Sequence, residues 1–496
     1  MFLMKTLFGK ANMPQRVFRI LSLAALAPLL VYFFLFLHNN FVLATCPFSI
    51  EWGEGIVIDL ARKIVNPSCV YGPLDGYPYV VGIYPPAFLY LTNVAGRLFE
   101  NPFLGGRIVA FLGASGCAVL IFLVLIRETG RWEISSIAAL TYISLSYVYD
   151  YAAMARVDSA GCFFALLGLY LMYRRHYYWA ALLLAVALYT KQSMVAAPAA
   201  CFTWLALREG RKALGPVLVF LGVCLGAFAA LQLATGGWFF HHTVRYTMHS
   251  YYFSQLVLLL RKSFAGTYVL IAFGIFYICT GLRSRPRLDL FSLYWIAVCC
   301  TLLFAGKVGS SLFYLMEYAG ACCLLFGLAM GWLYDFLGRM KSPVAYAATV
   351  VTFVLVGLQI YSSKDTCFYV KSFEGSRRME AEGMCIDMIR EERGPVLAED
   401  VGLLINAGRP VLFHPFAISE LGRLGLWDQG EFVADIRSYK FSMIILDSPA
   451  SRPTLFTFLR FTPGILNAVT GNYRLVAVVG GRCVYRPVAD DMGAAR

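Results

Sequence analysis

The chain has 496 residues, of which 59% are apolar and only 14% charged, with a formal net charge of +13. Roughly 25% of an ordinary soluble domain is charged, so composition excludes a soluble globular protein, and aromatic residues at 16% exclude disorder. The positive excess excludes nucleic acid as a partner, because it lies wholly in the apolar part: residues 362–496 carry equal numbers of bases and acids.

In chain order, the first predicted element is Ile20–Leu37, a charge-free run preceded by Lys5, Lys10, Arg16 and Arg19. A bilayer crossing takes about 20 apolar residues, and bases collect on the cytoplasmic side, so this run reads as an uncleaved signal anchor with a cytoplasmic N-terminus. Apolar segments follow near 105–126, 134–150, 158–173, 179–190, 193–207, 213–235, 264–282, 288–306, 311–334 and 343–361. Threading all of them gives about eleven transmembrane helices. It places Arg127/Arg131, Arg174/Arg175, Arg208/Arg211/Lys212, Arg283/Arg285/Arg287 and Arg339/Lys341 inside, with the four N-terminal bases. The segments 179–190 and 193–207 are short for two crossings, but fusing them would send every later basic loop outside.

Three stretches then face outward. The loop 38–104 carries Glu51, Glu54 and Tyr84-Pro85-Pro86. The stretch 236–263 contains Val244–Leu260, which reads as an interfacial amphipathic helix. The tail, 362–496, reads as a small α/β domain. Its predicted pieces are a helix over Lys371–Arg393, strands at Pro395–Ala398, Pro410–Phe413 and Phe441–Leu446, helices at Leu421–Trp427 and Glu431–Arg437, and a closing hairpin at Arg474–Tyr485. The expected fold is thus a polytopic α-helical membrane domain over 1–361 with an extracytoplasmic α/β domain over 362–496. An outward compartment is oxidising, which makes Cys46–Cys69 and Cys367–Cys385 candidate disulfides, though free thiols fit as well.

Charges at the edge of a bilayer are costly and mark function. Arg156, Lys191 and Lys307 are each the lone base of a short outer connection, accompanied by Asp158 and by Glu317. Together with Glu51 and Glu54 they form a two-signed cluster at the outer membrane surface. That mixture suits attack by a hydroxyl on the anomeric carbon of a phosphate-linked sugar. A carboxylate takes the proton, and fixed cations stabilise the departing phosphate. Glu54 and Glu51 are the base candidates, and Arg156, Lys191 and Lys307 the phosphate ligands. Solvated loop carboxylates, a capping pair at Arg156/Asp158 and snorkelling lysines are the structural alternatives. His241, His242 and His249 lack a metal-ligand spacing and read as wet interfacial residues.

Glu51-Trp52-Gly53-Glu54-Gly55 followed by Tyr84-Pro85-Pro86 resembles the first outer loop of GT-C membrane glycosyltransferases, among them protein O-mannosyltransferases and the lipid A aminoarabinose transferase. Arg156-Val157-Asp158, Leu188-Tyr189-Thr190-Lys191-Gln192 and Gly306-Lys307-Val308-Gly309-Ser310 with Tyr314 and Glu317 are similar to the same group. The resemblance implies inverting transfer of a sugar from a polyprenyl-phosphate donor to a glycan, lipid or protein acceptor outside the cytoplasm, in a bacterial inner membrane, with Asp158, Glu317 and Tyr84 in support. Nothing in it demands a cofactor or metal. The family's loop commonly carries an adjacent acidic pair, whereas here Gly53 precedes Glu54, and Glu54 is preferred over Glu51 as the base. The rival readings are a lipid-linked glycan flippase and a non-catalytic assembly protein; the outer-edge charges and the lack of an internal repeat weigh against transport.

Overall fold

The computed structural model describes residues 13–248, 250–284, 288–340, 343–363 and 375–488. Lys5, Lys10, His249, Arg285, Arg287, Lys341, Cys367 and the predicted helix start at 371–374 lie outside the described residues.

A helix stands at each apolar segment of the sequence. They are α1 (Met13–Thr45), α4 (Leu104–Thr129), α5 (Trp132–Ser144), α6 (Val157–Tyr173), α7 (Tyr177–Thr190), α8 (Ala196–Glu209), α9 (Leu214–Ala234), α10 (Phe253–Ser284), α11 (Leu290–Thr301), α12 (Met316–Leu337) and α13 (Pro343–Ser362). The loop 38–104 supplies two more, α2 (Trp52–Lys63) and α3 (Ala87–Gly96). Among the described residues six helical stretches are long and apolar enough to cross a membrane; α6, α7 and α11 are shorter. Backbone polar groups have no water to bond in hydrocarbon, so a helical bundle is the form such runs can take. Its interior is packed by side chains such as Leu29, Phe36, Ile121, Tyr142, Leu169 and Leu325, all buried. By contrast α9 buries only Pro216 and presents its apolar surface outward.

The tail forms a four-stranded mixed sheet in the order β1 (Val396–Ala398), β2 (Met443–Leu446), β4 (Arg482–Pro487), β3 (Tyr473–Val479). β1 and β2 run parallel, and β4 is antiparallel to both β2 and β3. Gly480 and Gly481, with φ of 58° and 88°, turn the closing hairpin, a left-handed pair that glycine adopts without a Cβ clash. The tail helices are α14 (Gly375–Glu391), α15 (Val401–Asn406), α16 (Pro415–Arg423), α17 (Gly430–Arg437), α18 (Leu455–Arg460) and α19 (Pro463–Asn472).

Several expectations need correction. Val244–Leu260 is not one helix: a short turn at Arg245–Thr247 is followed by extended backbone, where Tyr251 bridges Lys307 and the Tyr252 N–H donates to the Gly306 carbonyl at 2.8 Å. Its second half is instead the start of the 32-residue α10. Pro410–Phe413 is not a strand of the sheet; Phe413 pairs in parallel with Tyr79 of the outer loop. The helix predicted over Leu421–Trp427 lies earlier, because Pro415 opens it and it closes at Arg423. Cys46 is buried, Cys69 is exposed, and the two are not joined.

Candidate active site

The site is built where two helices begin. Glu51 caps α2 with an extended backbone, and its Oε2 accepts from the Gly53 N–H at 3.0 Å. Arg156 holds the extended N-cap position of α6 without a side-chain cap bond, and the first turn of that helix holds Asp158. Carboxylates at helix N-termini are favoured by the amide dipoles there. The two starts meet through Arg156, whose Nη1 lies 2.7 Å from Glu51 Oε2 and whose Nε lies 3.7 Å from Asp158 Oδ2. Lys191, the residue that ends α7, reaches the other Asp158 oxygen at 2.5 Å. One alternating chain of charge results: Glu51, Arg156, Asp158, Lys191.

Arg156, Asp158 and Lys191 are buried, whereas the Glu51 side chain keeps 24% of its surface. Glu51 Oε1 makes no hydrogen bond among the described residues. Gly53 is explained by this crowding, since a Cβ there would stand 2.5 Å from Arg156 Nη1 and 2.8 Å from Glu51 Oε2.

Glu54, the preferred base candidate of the sequence, stands apart from this charge chain. Its side chain is fully buried against Arg107, with Nε to Oε1 at 3.0 Å and Nη2 to Oε2 at 2.8 Å. Backbone N–H groups of Ala155 and Ile50 donate to Oε1 and Oε2 at 2.8 and 2.7 Å. The remaining Arg107 donors reach the carbonyls of Leu43, Cys46 and Phe48. All five guanidinium donors and both carboxylate oxygens are engaged, so Glu54 has no lone pair left for an incoming proton. Arg107 was missed at the sequence level. Its signal was a lone base at the outer end of a predicted span, the criterion that singled out Arg156.

A cavity of about 170 Å³ opens beside the charge chain, lined in part by Tyr84, Lys191, Lys307, Phe313, Tyr314 and Phe416. Arg156 lies over the Phe313 ring at 4.0 Å and donates to the Tyr84 hydroxyl at 3.4 Å, which links Glu51 to the cavity wall. Lys191 Nζ stands 3.7 Å from the Tyr314 ring centroid. Lys307 makes no ion pair among the described residues; its Nζ lies 5.5 Å from the Phe304 ring. Glu317 makes no ion pair among the described residues: it is buried at the start of α12 and accepts from Tyr294 at 3.3 Å.

The tail completes the site from above. Phe416 lines the cavity and meets the Trp52 ring at 5.4 Å, and Arg460 covers Trp52 at 4.8 Å. Arg460 is fixed by Glu399 at 2.8 Å and Asp447 at 2.7 Å, while Asp400 accepts from Ser49 at 2.8 Å. Burial and the neighbouring Asp447 charge push the Glu399 carboxyl up to about 6. Burial also acts to raise Asp59, but the hydrogen bond and charge of His414, with Lys63, hold it below the usual carboxylate range. That His414–Asp59 contact, at 2.9 Å, is a second tie between tail and loop. His242 is a third kind of fastening, within the outer loops. It accepts from the Gly82 N–H at 3.0 Å and lies 2.7 Å from the Gly72 carbonyl, and burial lowers its pKa to about 4. No group of three His, Cys, Asp or Glu side chains converges as metal ligands among the described residues.

No protein-family model matches the chain, and no curated protein matches it in sequence. Solved structures do match. ArnT from Cupriavidus metallidurans bound to undecaprenyl phosphate aligns with a TM-score of 0.62 at 14% identity, over 93% of this chain and 98% of that one. The same protein in its apo state gives 0.62 and 14% over 94% and 99%. The Archaeoglobus fulgidus oligosaccharyltransferase, in complex with zinc and sulfate, gives 0.55 and 13% over 94% of this chain and 73% of that one. At these identities the likeness is one of fold alone: the chain shares its largely helical architecture with that ArnT and that oligosaccharyltransferase.

Proposed function

We propose that this protein is a membrane glycosyltransferase that moves a sugar from a polyprenyl-phosphate donor to a hydroxyl acceptor at the outer face of the membrane, with inversion. The observation that carries the reading is the alternating chain Glu51–Arg156–Asp158–Lys191 beside a cavity that also holds Lys307. The shared fold with an ArnT bound to undecaprenyl phosphate supports the donor class. In the proposed orientation the eleven apolar helices each cross, the N-terminus is cytoplasmic, and the tail lies outside.

Glu51 is the proposed base. An acceptor hydroxyl attacks the anomeric carbon, its proton passes to Glu51 Oε1, and the bond from that carbon to the phosphate oxygen breaks. The electron pair leaves with the polyprenyl phosphate, so one displacement inverts the centre. Lys307, the cation without a carboxylate partner among the described residues, meets the departing phosphate first. Lys191 shares its charge with Asp158 and Arg156 divides its own between Glu51 and Asp158, so both act from the second rank. The transfer as proposed calls on no cofactor. Purified protein incubated with radiolabelled polyprenyl-phosphate sugar and an envelope extract tests it, with and without chelator. Label in the acceptor that vanishes in Glu51→Gln is the expected result; label moved across vesicles without turnover would favour a flippase instead.

A further inference from the structure

The charge at the opposite end of the bundle is organised too. Arg127 from the end of α4, Arg174 and Arg175 from the end of α6, and Arg208 from the end of α8 line one cavity of about 350 Å³ with Tyr173 and Trp204. General inside bias accounts for bases on this side, and helix C-termini attract them. Neither accounts for their convergence. Arg127 Nη1 and Arg174 Nη1 both donate to the single Tyr170 hydroxyl, the latter at 3.3 Å, which brings two like charges onto one neutral oxygen. The nearby carboxylates do not neutralise the group. Glu209 lies 3.8 Å from Arg208 and also accepts from Tyr177, while Glu128 neighbours Tyr173. Arg127, Arg174 and Arg175 make no ion pair among the described residues. Like charges held this close at a helix-end pocket are stabilised by an anion placed between them.

We infer that this cavity binds the phosphate of an anionic phospholipid headgroup in the leaflet opposite the active site. A lipid fits better than a soluble phosphate because apolar surface adjoins the arginines. Trp204 packs under Arg208 at 5.0 Å, Leu207 and Leu214 are exposed, and the outward face of α9 continues from them. The headgroup meets the guanidinium groups while the acyl chains lie along that face. The inference rests on the membrane placement proposed above but not on the transfer reaction.

The test uses the full chain purified from vesicles of equal phosphatidylglycerol and phosphatidylcholine, with retained lipid counted by native mass spectrometry. Wild-type protein is expected to keep phosphatidylglycerol in preference. Arg174→Gln with Arg208→Gln should lower its retention at least tenfold, and Arg175→Gln, an exposed side chain whose loss does not threaten folding, at least threefold. Arg339→Gln, on the same side but away from the cavity, should change nothing. The inference is overturned by equal retention of the two lipids, by full retention in the cavity variants, by an equal loss in Arg339→Gln, or by pyrophosphate binding that replaces the lipid at millimolar concentration. Because the readout is bound lipid, failure here leaves the glycosyl-transfer reading standing, and loss of transfer in Glu51→Gln does not bear on it.

Discussion

Replacing Glu51 with glutamine keeps the cap of α2 and removes one negative charge beside Arg156. Transfer is expected to fall at least a hundredfold with the melting temperature nearly unchanged, because the side chain is part-exposed and its proposed role is to hold a proton. Glu54→Gln behaves in the opposite way. It leaves Arg107 buried without a counter-charge, which costs on the order of 3–5 kcal/mol, so the loss appears as poor folding in thermal melts of detergent-solubilised protein. Equal melting of both variants, with Glu54→Gln alone inactive, would return the base to Glu54. The lysines separate similarly. Lys307→Met should raise KM for the donor with the fold intact, whereas Lys191→Met leaves Asp158 buried and destabilises the site. Sequence alone identified the two glutamates and ranked Glu54 first, with nothing in it to show the arginine that occupies that carboxylate. The deciding partner, Arg107, is 53 residues away from Glu54 and reads in sequence as one base in an apolar run.

At the scale of elements, apolar length was enough to find each helix of the bundle, since hydrocarbon leaves the backbone little alternative. It failed at Val244–Leu260, where amphipathic spacing suggested a surface helix. There the backbone of Ser250 and Tyr252 is bonded instead to residues 306–308, partners that local periodicity does not encode. Likewise Phe413 pairs across to Tyr79, so a β-like run became a tie between tail and loop. The packing of the loop gives a pH prediction. An undocked histidine takes a proton near 6.5, but docked His242 does so only at about 4. The docked form thus binds fewer protons between those values. Docking is fully favoured above pH 6.5 and weakens as pH falls toward 4. Protection against hydrogen exchange over residues 72–82, taken relative to the intrinsic rate at each pH, should fall between pH 7 and pH 5, and His242→Gln should flatten that dependence. Gly53→Ala is expected to abolish transfer while the bundle melts normally, since its Cβ would displace only Arg156 and Glu51.

Across the whole molecule, the tail is a wall of the cavity and a brace for the loop. Gly55 and Gly402 are in backbone contact, with room for no Cβ on the former, and Ser49, Trp52 and Asp59 are each held by a tail residue. Arg460→Ala should therefore lower kcat more than donor affinity and speed exchange at residues 49–63, because Trp52 and its neighbour Glu51 lose their cover. If exchange there stays unchanged, the brace is not Arg460. The Glu54–Arg107 pair has a consequence for biosynthesis. Its carboxylate is satisfied by an arginine at 107 and an N–H at 155, and its arginine by carbonyls at 43, 46 and 48. While the ribosome has delivered only the first helix and the loop, Glu54 is a bare ion that water must keep. Once residue 107 is made the arginine can meet it, the last N–H comes just before α6, and the cavity wall that carries Phe416 comes later still. Full satisfaction of this salt bridge therefore requires the chain as far as residue 155.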